Sequence, residues 1–243
     1  LPSGVELLPA ALLVGLSFIT SLITATFGVG GGSLMIAAML LVFPPLVAVP
    51  VHGLVQFGSN AGRALLMRAH AQWRFAGYFM LGSIPGAFAG ASVANWLPQA
   101  ALTTIIALFL LWSAWGPSPK ASVRGPLATA AAGGGTAALG MITGIAGPLV
   151  LAFLRFLDDR RQIIATHAVL MTAQNALKAV AFTAFGFAFA DYLPLVGTMI
   201  VTGFLGTTVG SRLLVRVPEK TFRWGFRLVL TLVALGILRE AIF

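Results

Sequence analysis

Apolar residues form ten long runs along the chain, and short polar or proline-containing turns separate them. The runs predict ten helical segments, at about 7–27, 28–43, 46–67, 73–95, 98–116, 127–144, 145–157, 163–185, 190–212 and 221–243. About 20 apolar residues are needed to cross a hydrocarbon core of about 30 Å. Segments 28–43 and 145–157 are shorter, so each is either a half-helix or part of a re-entrant hairpin with the segment before it. A polar stretch at 117–126 divides the ten segments into two groups of five.

The composition is that of a chain that lies in a membrane. Hydrophobic residues make up 58% of the 243 residues, charged residues only 9%, and the mean hydropathy is +0.97. A soluble domain of this length needs far more charge to cover its surface. We therefore predict an all-α polytopic membrane protein surrounded by membrane lipid. The sequence has no cysteine, which excludes a disulfide, a thiolate metal site and a cysteine nucleophile.

The net charge of +9 is of the kind that nucleic-acid-binding proteins carry. Here, however, the basic residues lie at the ends of apolar runs and are not gathered in a soluble tail. We therefore do not expect a nucleic-acid partner. Lysine and arginine in this position determine membrane topology, because they remain on the cytoplasmic side.

The two groups of segments share a sequence pattern, which indicates an internal duplication. One shared pattern, at an offset of 115 residues, is a histidine, an asparagine and a basic residue: His52-x7-Asn60-x2-Arg63 and His167-x7-Asn175-x2-Lys178. Glycine pairs followed by proline, which begin at Gly86 and Gly206, match at an offset of 120 residues. Glycine-rich breaks at Gly28 and Gly144 match at an offset of 116 residues. The predicted domains are a first transmembrane repeat at 1–116, a cytoplasmic linker at 117–126 and a second transmembrane repeat at 127–243.

The basic turns change position between the two repeats, which predicts opposite orientations in the membrane. In the first repeat the basic residues follow the third segment: Arg63, Arg68 and Arg74. In the second repeat they follow the second and fourth segments: Arg155, Arg160, Arg161, Arg212, Arg216, Lys220, Arg223 and Arg227. These turns and the linker, which carries Lys120 and Arg124, are all cytoplasmic only if each repeat crosses an odd number of times. We therefore predict two inverted-topology repeats of about five transmembrane or half-membrane helices each, with both termini outside. Such repeats are typical of secondary transporters.

The third segment of each repeat carries the candidates for substrate binding. Spacings of three or four residues put one set on a single helix face: His52, Gln56, Asn60 and Arg63. The second repeat has the corresponding set His167, Met171, Asn175 and Lys178, and Gln174 is beside Asn175. A cation deep in hydrocarbon costs about 2.5–3.5 kcal/mol, so both faces are expected to line a cavity within the protein. Hydrogen-bond donors without carboxylates favour an anion as the ligand.

Each of these residues also has a structural interpretation. Arg63 would extend to the cytoplasmic interface as a topology marker. Asn60 and Asn175 would join neighbouring helices by hydrogen bonds. His52 and His167 would lie at the membrane interface, since both are near the start of their segments, although their duplication favours a shared functional position.

Glycine-rich breaks precede the short second segment of each repeat. The candidates for ligand binding in these breaks are Gly30, Gly31, Gly32, Ser33 and Gly147. Glycines let the backbone unwind and turn N–H groups toward a ligand, and the helix that follows offers the positive end of its dipole. The alternative is close helix packing through small residues, which we prefer for the glycine pairs at Gly86 and Gly206.

Acidic residues are few and lie near segment ends or in turns: Glu6, Asp158, Asp159, Asp191, Glu219 and Glu240. A proton- or sodium-driven carrier usually buries a carboxylate. Proton coupling, if it occurs, would therefore depend on His52 and His167, whose imidazoles titrate near neutrality. We expect no metal and no cofactor. An intramembrane enzyme is disfavoured, because there is no buried acid pair and no cluster of histidines and carboxylates.

The motifs resemble those of the sulfite exporter TauE/SafE family. The resemblance rests on Gly28-Val-Gly-Gly-Gly, on Pro44-Pro-Leu-Val-Ala-Val, on the polar third segment before Trp73-Arg74, and on the glycine pairs of both repeats. It extends over essentially the whole sequence. The second repeat departs from the family pattern in two places: Gly144-Ile-Ala-Gly-Pro replaces the glycine triplet, and Asp158-Asp-Arg-Arg replaces the usual Pro-Pro turn.

The resemblance implies a multi-pass protein of the bacterial inner membrane that transports sulfite or small organosulfonates, often as an exporter. Sulfoacetate, isethionate and taurine-related compounds belong to this substrate class. We therefore expect a secondary transporter, not an enzyme, that works by alternating access between the two repeats. A passive anion channel with the same inverted repeats is the alternative. The apolar outer faces would permit a homodimer.

Overall fold

Ten α-helices form the regular structure of the part of the chain that the computed structural model describes, residues 6–27, 30–117, 123, 125–213 and 219–242. They are α1 (Leu7–Phe27), α2 (Gly31–Met39), α3 (Pro45–Met67), α4 (Trp73–Trp96), α5 (Gln99–Trp115), α6 (Pro126–Thr143), α7 (Gly147–Phe153), α8 (Arg160–Ala184), α9 (Leu193–Leu213) and α10 (Glu219–Ile242). Some residues of the sequence interpretation lie outside the described residues: Gly28, Val29, Lys120, Arg124, Arg216 and Pro218. The same holds for the side chains of Arg212, Glu219, Lys220, Arg223 and Glu240.

The helices follow the predicted segments to within a few residues, and the all-helical class is confirmed for the described ranges. The two short segments form the shortest helices, with 9 residues in α2 and 7 residues in α7. At a rise of 1.5 Å per residue they are about 14 Å and about 11 Å long, so neither crosses a core of about 30 Å. Of the described helices, the segments Leu7–Ala25 and Ala190–Gly210 are long and apolar enough to cross a membrane by length and hydropathy alone.

Proline and glycine set the boundaries of the helices around the two breaks. Pro45, Pro126 and Pro148 lie in the first turn of α3, α6 and α7, where no intrahelical N–H bond is lost. Gly144 ends α6 at φ +77°, and Gly30 precedes α2 at φ +105°. Residues with a Cβ rarely adopt these angles, so each break depends on glycine.

Long helices from the two halves of the chain pack against each other in pairs. Helix α4 lies along α6, and α1 lies along α9. Small residues bring the backbones into contact, because a Cβ on Gly86 would meet the backbone of Gly134 and one on Gly206 would meet that of Phe18. The close-packing interpretation of both glycine pairs is therefore confirmed.

Helices α3 and α8 lie against each other and run antiparallel. At one end, the turn after α3 contacts the start of α8, where the Gln72 N–H donates to Thr166 Oγ1 at 3.0 Å. At the other end, Phe43 before α3 packs on Tyr192 after α8, with ring centroids 5.9 Å apart. The two basic turns, before α4 and before α8, therefore lie at one end of the molecule. The two turns without lysine or arginine lie at the other end.

Candidate functional site

A cavity of about 50 Å³ lies where the two helix breaks meet α3 and α8. We call it the central cavity. Its wall contains residues from both halves: Thr24, Gly30, Gly32, Ser33, His52, Gln56, Asn60, Arg63, Gly144, Ile145, Ala146, Gly147, Pro148, His167, Met171 and Asn175. A cavity of this size holds a few water molecules or one small ion.

Most of the residues that the sequence singled out meet at this cavity. The exceptions are Gly31, Gln174 and Lys178, which do not line its wall. Sequence reasoning missed Thr24 of α1, which no shared spacing connects to the other residues. The structure therefore brings together side chains from α3 and α8 and backbone from both breaks, which are far apart in the sequence.

One histidine from each half fastens a helix break to a long helix. His52 Nε2 lies 3.0 Å from the Gly32 carbonyl oxygen, and His167 Nε2 lies 3.1 Å from that of Gly147. Both contacts join residues that are 20 positions apart. A carbonyl oxygen only accepts, so Nε2 is the donating nitrogen in each ring. Both rings lie inside the protein at the central cavity, so the duplicated spacing corresponds to a duplicated contact.

Asn60 holds Arg63 at the central cavity. Arg63 Nη2 donates to Asn60 Oδ1 at 3.2 Å, and Asn60 Nδ2 donates to the Gln56 carbonyl at 2.8 Å. Arg63 Nε is buried without a hydrogen-bond partner. A buried donor without an acceptor costs about 1–3 kcal/mol, and an oxyanion in the cavity would supply the missing acceptor. Arg68, five residues further along and just past the end of α3, is exposed and fits the role of a topology marker better than Arg63.

The corresponding amides of α8 have two different environments. Asn175 lines the central cavity, and its Nδ2 is buried without a partner. Gln174 Nε2 instead donates to Ser83 Oγ at 3.1 Å and to Thr136 Oγ1 at 3.0 Å. Gln174 therefore joins α8 to α4 and α6, whereas Asn175 is available to a ligand.

Lys178 occupies the position in α8 that Arg63 occupies in α3, yet it does not line the central cavity. Its Nζ donates to the Gly144 carbonyl at 3.1 Å, and the residue is only 3% exposed. Its aliphatic chain lies on Gly53 of α3, where an added Cβ would come within 2.6 Å of Lys178 Cδ. The side chain thus connects α8, the break between α6 and α7, and α3.

A second, smaller cavity of about 10 Å³ adjoins the central one. Gln174, Asn175 and Lys178 contribute to its wall, and it shares Ala146, Met171 and Asn175 with the central cavity. Gln174 Oε1 is buried without a partner, as is Asn175 Nδ2. The volume is close to that of one water molecule. We call it the rear cavity.

The chemistry of the central cavity is cationic and rich in donors. Among the described residues, its wall has one arginine, two histidines and the amides of Gln56, Asn60 and Asn175, and it has no carboxylate. The described residues also include no group of three or more His, Cys, Asp and Glu side chains arranged to hold a metal ion. The wall is therefore suited to an anion.

Comparison with known sequences identifies the family of the chain. The model of the family described as "Sulfite exporter TauE/SafE" matches residues 13–237, which include both breaks and the whole wall of the central cavity. The chain belongs to the sulfite exporter TauE/SafE family. The resemblance carried by the glycine motifs and the polar third segment is thus confirmed for this TauE/SafE protein.

A curated relative gives a second comparison for the TauE/SafE chain. The chain is similar to "Probable membrane transporter protein YunE" of Bacillus subtilis (strain 168), with 34% identity over 85 residues. The match covers 33% of this chain and 30% of the length of YunE. No solved structure matches the chain. The TauE/SafE family and this relative place the protein in a membrane and indicate a transporter rather than an enzyme.

Proposed function

We propose that this TauE/SafE protein is a secondary transporter that exports small sulfur-containing anions across the bacterial inner membrane by alternating access. Sulfite and organosulfonates such as sulfoacetate, isethionate and taurine-related compounds are the substrate class. The observation that carries the proposal is the buried Arg63 Nε without a partner, in a cavity whose described wall has no carboxylate. A sulfite or sulfonate group presents three acceptor oxygens and negative charge, which match these donors.

We also propose that α1–α5 and α6–α10 are inverted-topology repeats of a multi-pass protein. In these repeats α4 corresponds to α9, and α6 corresponds to α1. The packing of α4 on α6 therefore has its counterpart in the packing of α9 on α1. Helices α3 and α8 are each other's counterparts and run antiparallel, as a twofold axis in the membrane plane requires. The two basic turns at one end of the α3–α8 pair support a cytoplasmic location for that end.

The location of the central cavity agrees with alternating access around these repeats. Binding sites of inverted-repeat transporters lie at the repeat interface near the midplane, where helices are broken. Here Gly30 and Gly144 break the chain at the cavity, and the two histidine contacts give the breaks matching anchors. Arg63 lies toward the end of α3 that carries the basic turn, which is the end that we propose to be cytoplasmic.

Transport by the purified protein tests the proposal. The full chain is reconstituted into proteoliposomes, and the flux of radiolabelled sulfite is measured for the native protein, Arg63→Met and Arg68→Met. A hydrogen bond to a charged group contributes about 1.5–3 kcal/mol, so Arg63→Met should weaken sulfite affinity by about 10- to 150-fold. Arg68→Met removes an exposed arginine from the same helix end and should transport like the native protein. Equal transport by both variants would contradict the site.

A binding screen tests the substrate class separately. The melting temperature is measured with sulfite, sulfoacetate, taurine, isethionate, thiosulfate and sulfate, because a ligand that binds only the folded state raises it. One or two sulfur oxyanions should stabilise the protein well above the rest. Equal stabilisation by all six would argue against a specific site. Single-channel currents far above the turnover of a carrier would select the passive anion channel instead.

A further inference from the structure

The two basic residues at equivalent positions of the repeats lie in different surroundings. Arg63 lines the central cavity, whereas Lys178 lines the rear cavity, with its ammonium on the Gly144 carbonyl. The sequence pattern that contains them is otherwise kept, including the two histidine contacts at 3.0 and 3.1 Å. The two basic residues therefore differ in their surroundings although the histidine contacts are kept.

Arg63 and Lys178 lie on opposite sides of the crossing between α3 and α8. Arg63 lies in the last turns of α3, which ends at Met67 beside the basic turns. Lys178 lies in the last turns of α8, which ends at Ala184 beside the turns without lysine or arginine. Since the helices are antiparallel, Arg63 is on the proposed cytoplasmic side and Lys178 on the proposed outer side.

We propose that Lys178 is the cation of a second oxyanion site, closed in this structure, which opens to the outer side in the other transport state. This extends the proposed function, because it rests on the inverted repeats and on an anionic substrate. When the repeats exchange conformations, Lys178 releases the Gly144 carbonyl and faces the anion as Arg63 does here. Arg63 in turn becomes enclosed. We call this site, formed by Lys178 and Asn175, the outer site.

The rear cavity is the closed form of the outer site. Its wall holds a buried donor without a partner, Asn175 Nδ2, which an oxyanion would satisfy. An ammonium carries three donors, and the Gly144 carbonyl is the one acceptor that the described residues give Lys178. A buried charge without a counter-ion is costly, and an oxyanion would offset this cost. Asn175, one of the three wall residues that the two cavities share, connects the outer site to the central cavity.

Lys178 also acts as a latch in the present state. It bonds the carbonyl at the break between α6 and α7, and its aliphatic chain crosses onto Gly53 of the other repeat. Gly144 itself faces the first repeat, because a Cβ there would lie 2.9 Å from Ile36 Cγ1 and 3.5 Å from Val49 Cγ2. Movement of one repeat against the other must therefore shift the Lys178 chain from Gly53 and Gly144 from its neighbours in the first repeat. The bond between Lys178 and Gly144 lies within the second repeat, so it breaks when that repeat takes up the conformation that the first repeat has here, and this frees the ammonium as the outer side opens.

Single-cysteine labelling tests the outer site without a substrate, because the sequence has no native cysteine. Arg63→Cys, Lys178→Cys and Val180→Cys are made in the full chain, and a membrane-impermeant thiol reagent is applied from each side of vesicles of known orientation. Val180 is the matched control, because it lies on α8 two residues from Lys178 but is 56% exposed and lines neither cavity, so we expect it to face lipid. We expect Arg63→Cys to react from the cytoplasmic side, Lys178→Cys from the external side and Val180→Cys from neither.

The side preference should be on the order of 10-fold for each of the two reactive cysteines, which corresponds to about 1.4 kcal/mol between the two accessible states. Reaction of both cysteines from the same side, or protection of Lys178→Cys from both sides, would overturn the outer site. If sulfite is not transported but Arg63→Cys and Lys178→Cys still react from opposite sides, the proposed substrate class is contradicted and the outer site is supported.

A second pair of variants tests the latch while Lys178 is retained. Labelling of Ser33→Cys, which lies in the wall of the central cavity, reports how far the cavity is open to each side. It is measured in two double variants, one with Gly53→Ala and one with Gly62→Ala. The added methyl of Gly53→Ala displaces the Lys178 chain, whereas a Cβ on Gly62 meets no atom closer than 4.0 Å. Gly53→Ala should slow cytoplasmic labelling of Ser33→Cys several-fold and speed external labelling, and Gly62→Ala should not. Equal labelling in the two backgrounds would refute the latch.

Discussion

Replacing Asn175 by leucine tests whether the amides at the central cavity bind a ligand or join helices. Asn175 is 3% exposed, and its Nδ2 is buried without an acceptor. An amide that joins helices has its partners in the anion-free protein. An amide reserved for a ligand lacks them until the ligand binds. The two roles therefore predict opposite changes in stability for the same substitution.

The burial of Asn175 Nδ2 and its missing acceptor set the expected size of both effects. A buried unpaired donor costs about 1–3 kcal/mol, and leucine has a similar size but no polar group. We expect Asn175→Leu to raise the free energy of unfolding of the anion-free protein by about 1 kcal/mol, or the melting temperature by about 2–4 °C. In the anion complex the same amide donates to a charged oxygen, which contributes about 1.5–3 kcal/mol. The affinity for the anion should therefore fall by about 10- to 150-fold.

Thermal unfolding in detergent, with and without sulfite, measures both quantities on one sample. The melting temperature without sulfite reports the stability, and its increase with sulfite concentration reports the affinity. Asn95→Leu is the matched control, because Asn95 Nδ2 has an acceptor, the Ala91 carbonyl at 2.8 Å, and lies outside both cavities. This control should not gain stability, and it should bind sulfite like the native protein.

A lower melting temperature for Asn175→Leu, together with unchanged sulfite affinity, would refute the reasoning. Asn175 would then be an interhelical hydrogen-bonding residue, and the central cavity would lose one of its donors. A gain in stability with a loss of affinity would instead be the trade-off expected of a binding residue.

The remaining predictions concern the helix contacts. Gly86→Ala should lower the melting temperature, because the new methyl meets the Gly134 backbone and overpacking costs about 1–3 kcal/mol. Gly77→Ala is the control, because its methyl has open space and should be neutral or stabilising. Equal effects of the two substitutions would contradict close packing of α4 on α6. His52→Phe and His167→Phe should each lower the melting temperature by several degrees through an unpaired glycine carbonyl, and glutamine at either position should retain stability because its amide also donates. If glutamine abolishes the pH dependence of transport, the imidazoles carry the coupling proton and are more than anchors.

The helices of this protein could be predicted from local signals. Apolar runs, the prolines of the first turns and the glycines of the breaks act over a few residues, so the sequence alone gave the ten elements to within a few residues. The preference for packing over binding at the Gly86 and Gly206 pairs was also correct, because small residues four apart form a flat helix surface wherever they occur.

The candidate site was predictable in part. Most of the polar residues of α3 and α8 reach one cavity, because their spacing fixes the helix face they share. Their partners were not predictable, since the hydrogen bond from each histidine to a glycine carbonyl depends on how a short helix docks on a long one. Thr24 joins the wall for the same reason, because the packing of α1 brings it there.

The sequence by itself determined the helical elements, the duplicated pattern of His, Asn and a basic residue, and the excess of donors over carboxylates. Only the tertiary structure decided that Arg63 lines the central cavity while Gln174 and Lys178 turn away from it. The physical reason is that spacing fixes the side of a helix on which a residue lies, but not what is packed there. Lys178 bonds the Gly144 carbonyl because another part of the second half is placed beside it, and its chain fits because α3 has a glycine at position 53.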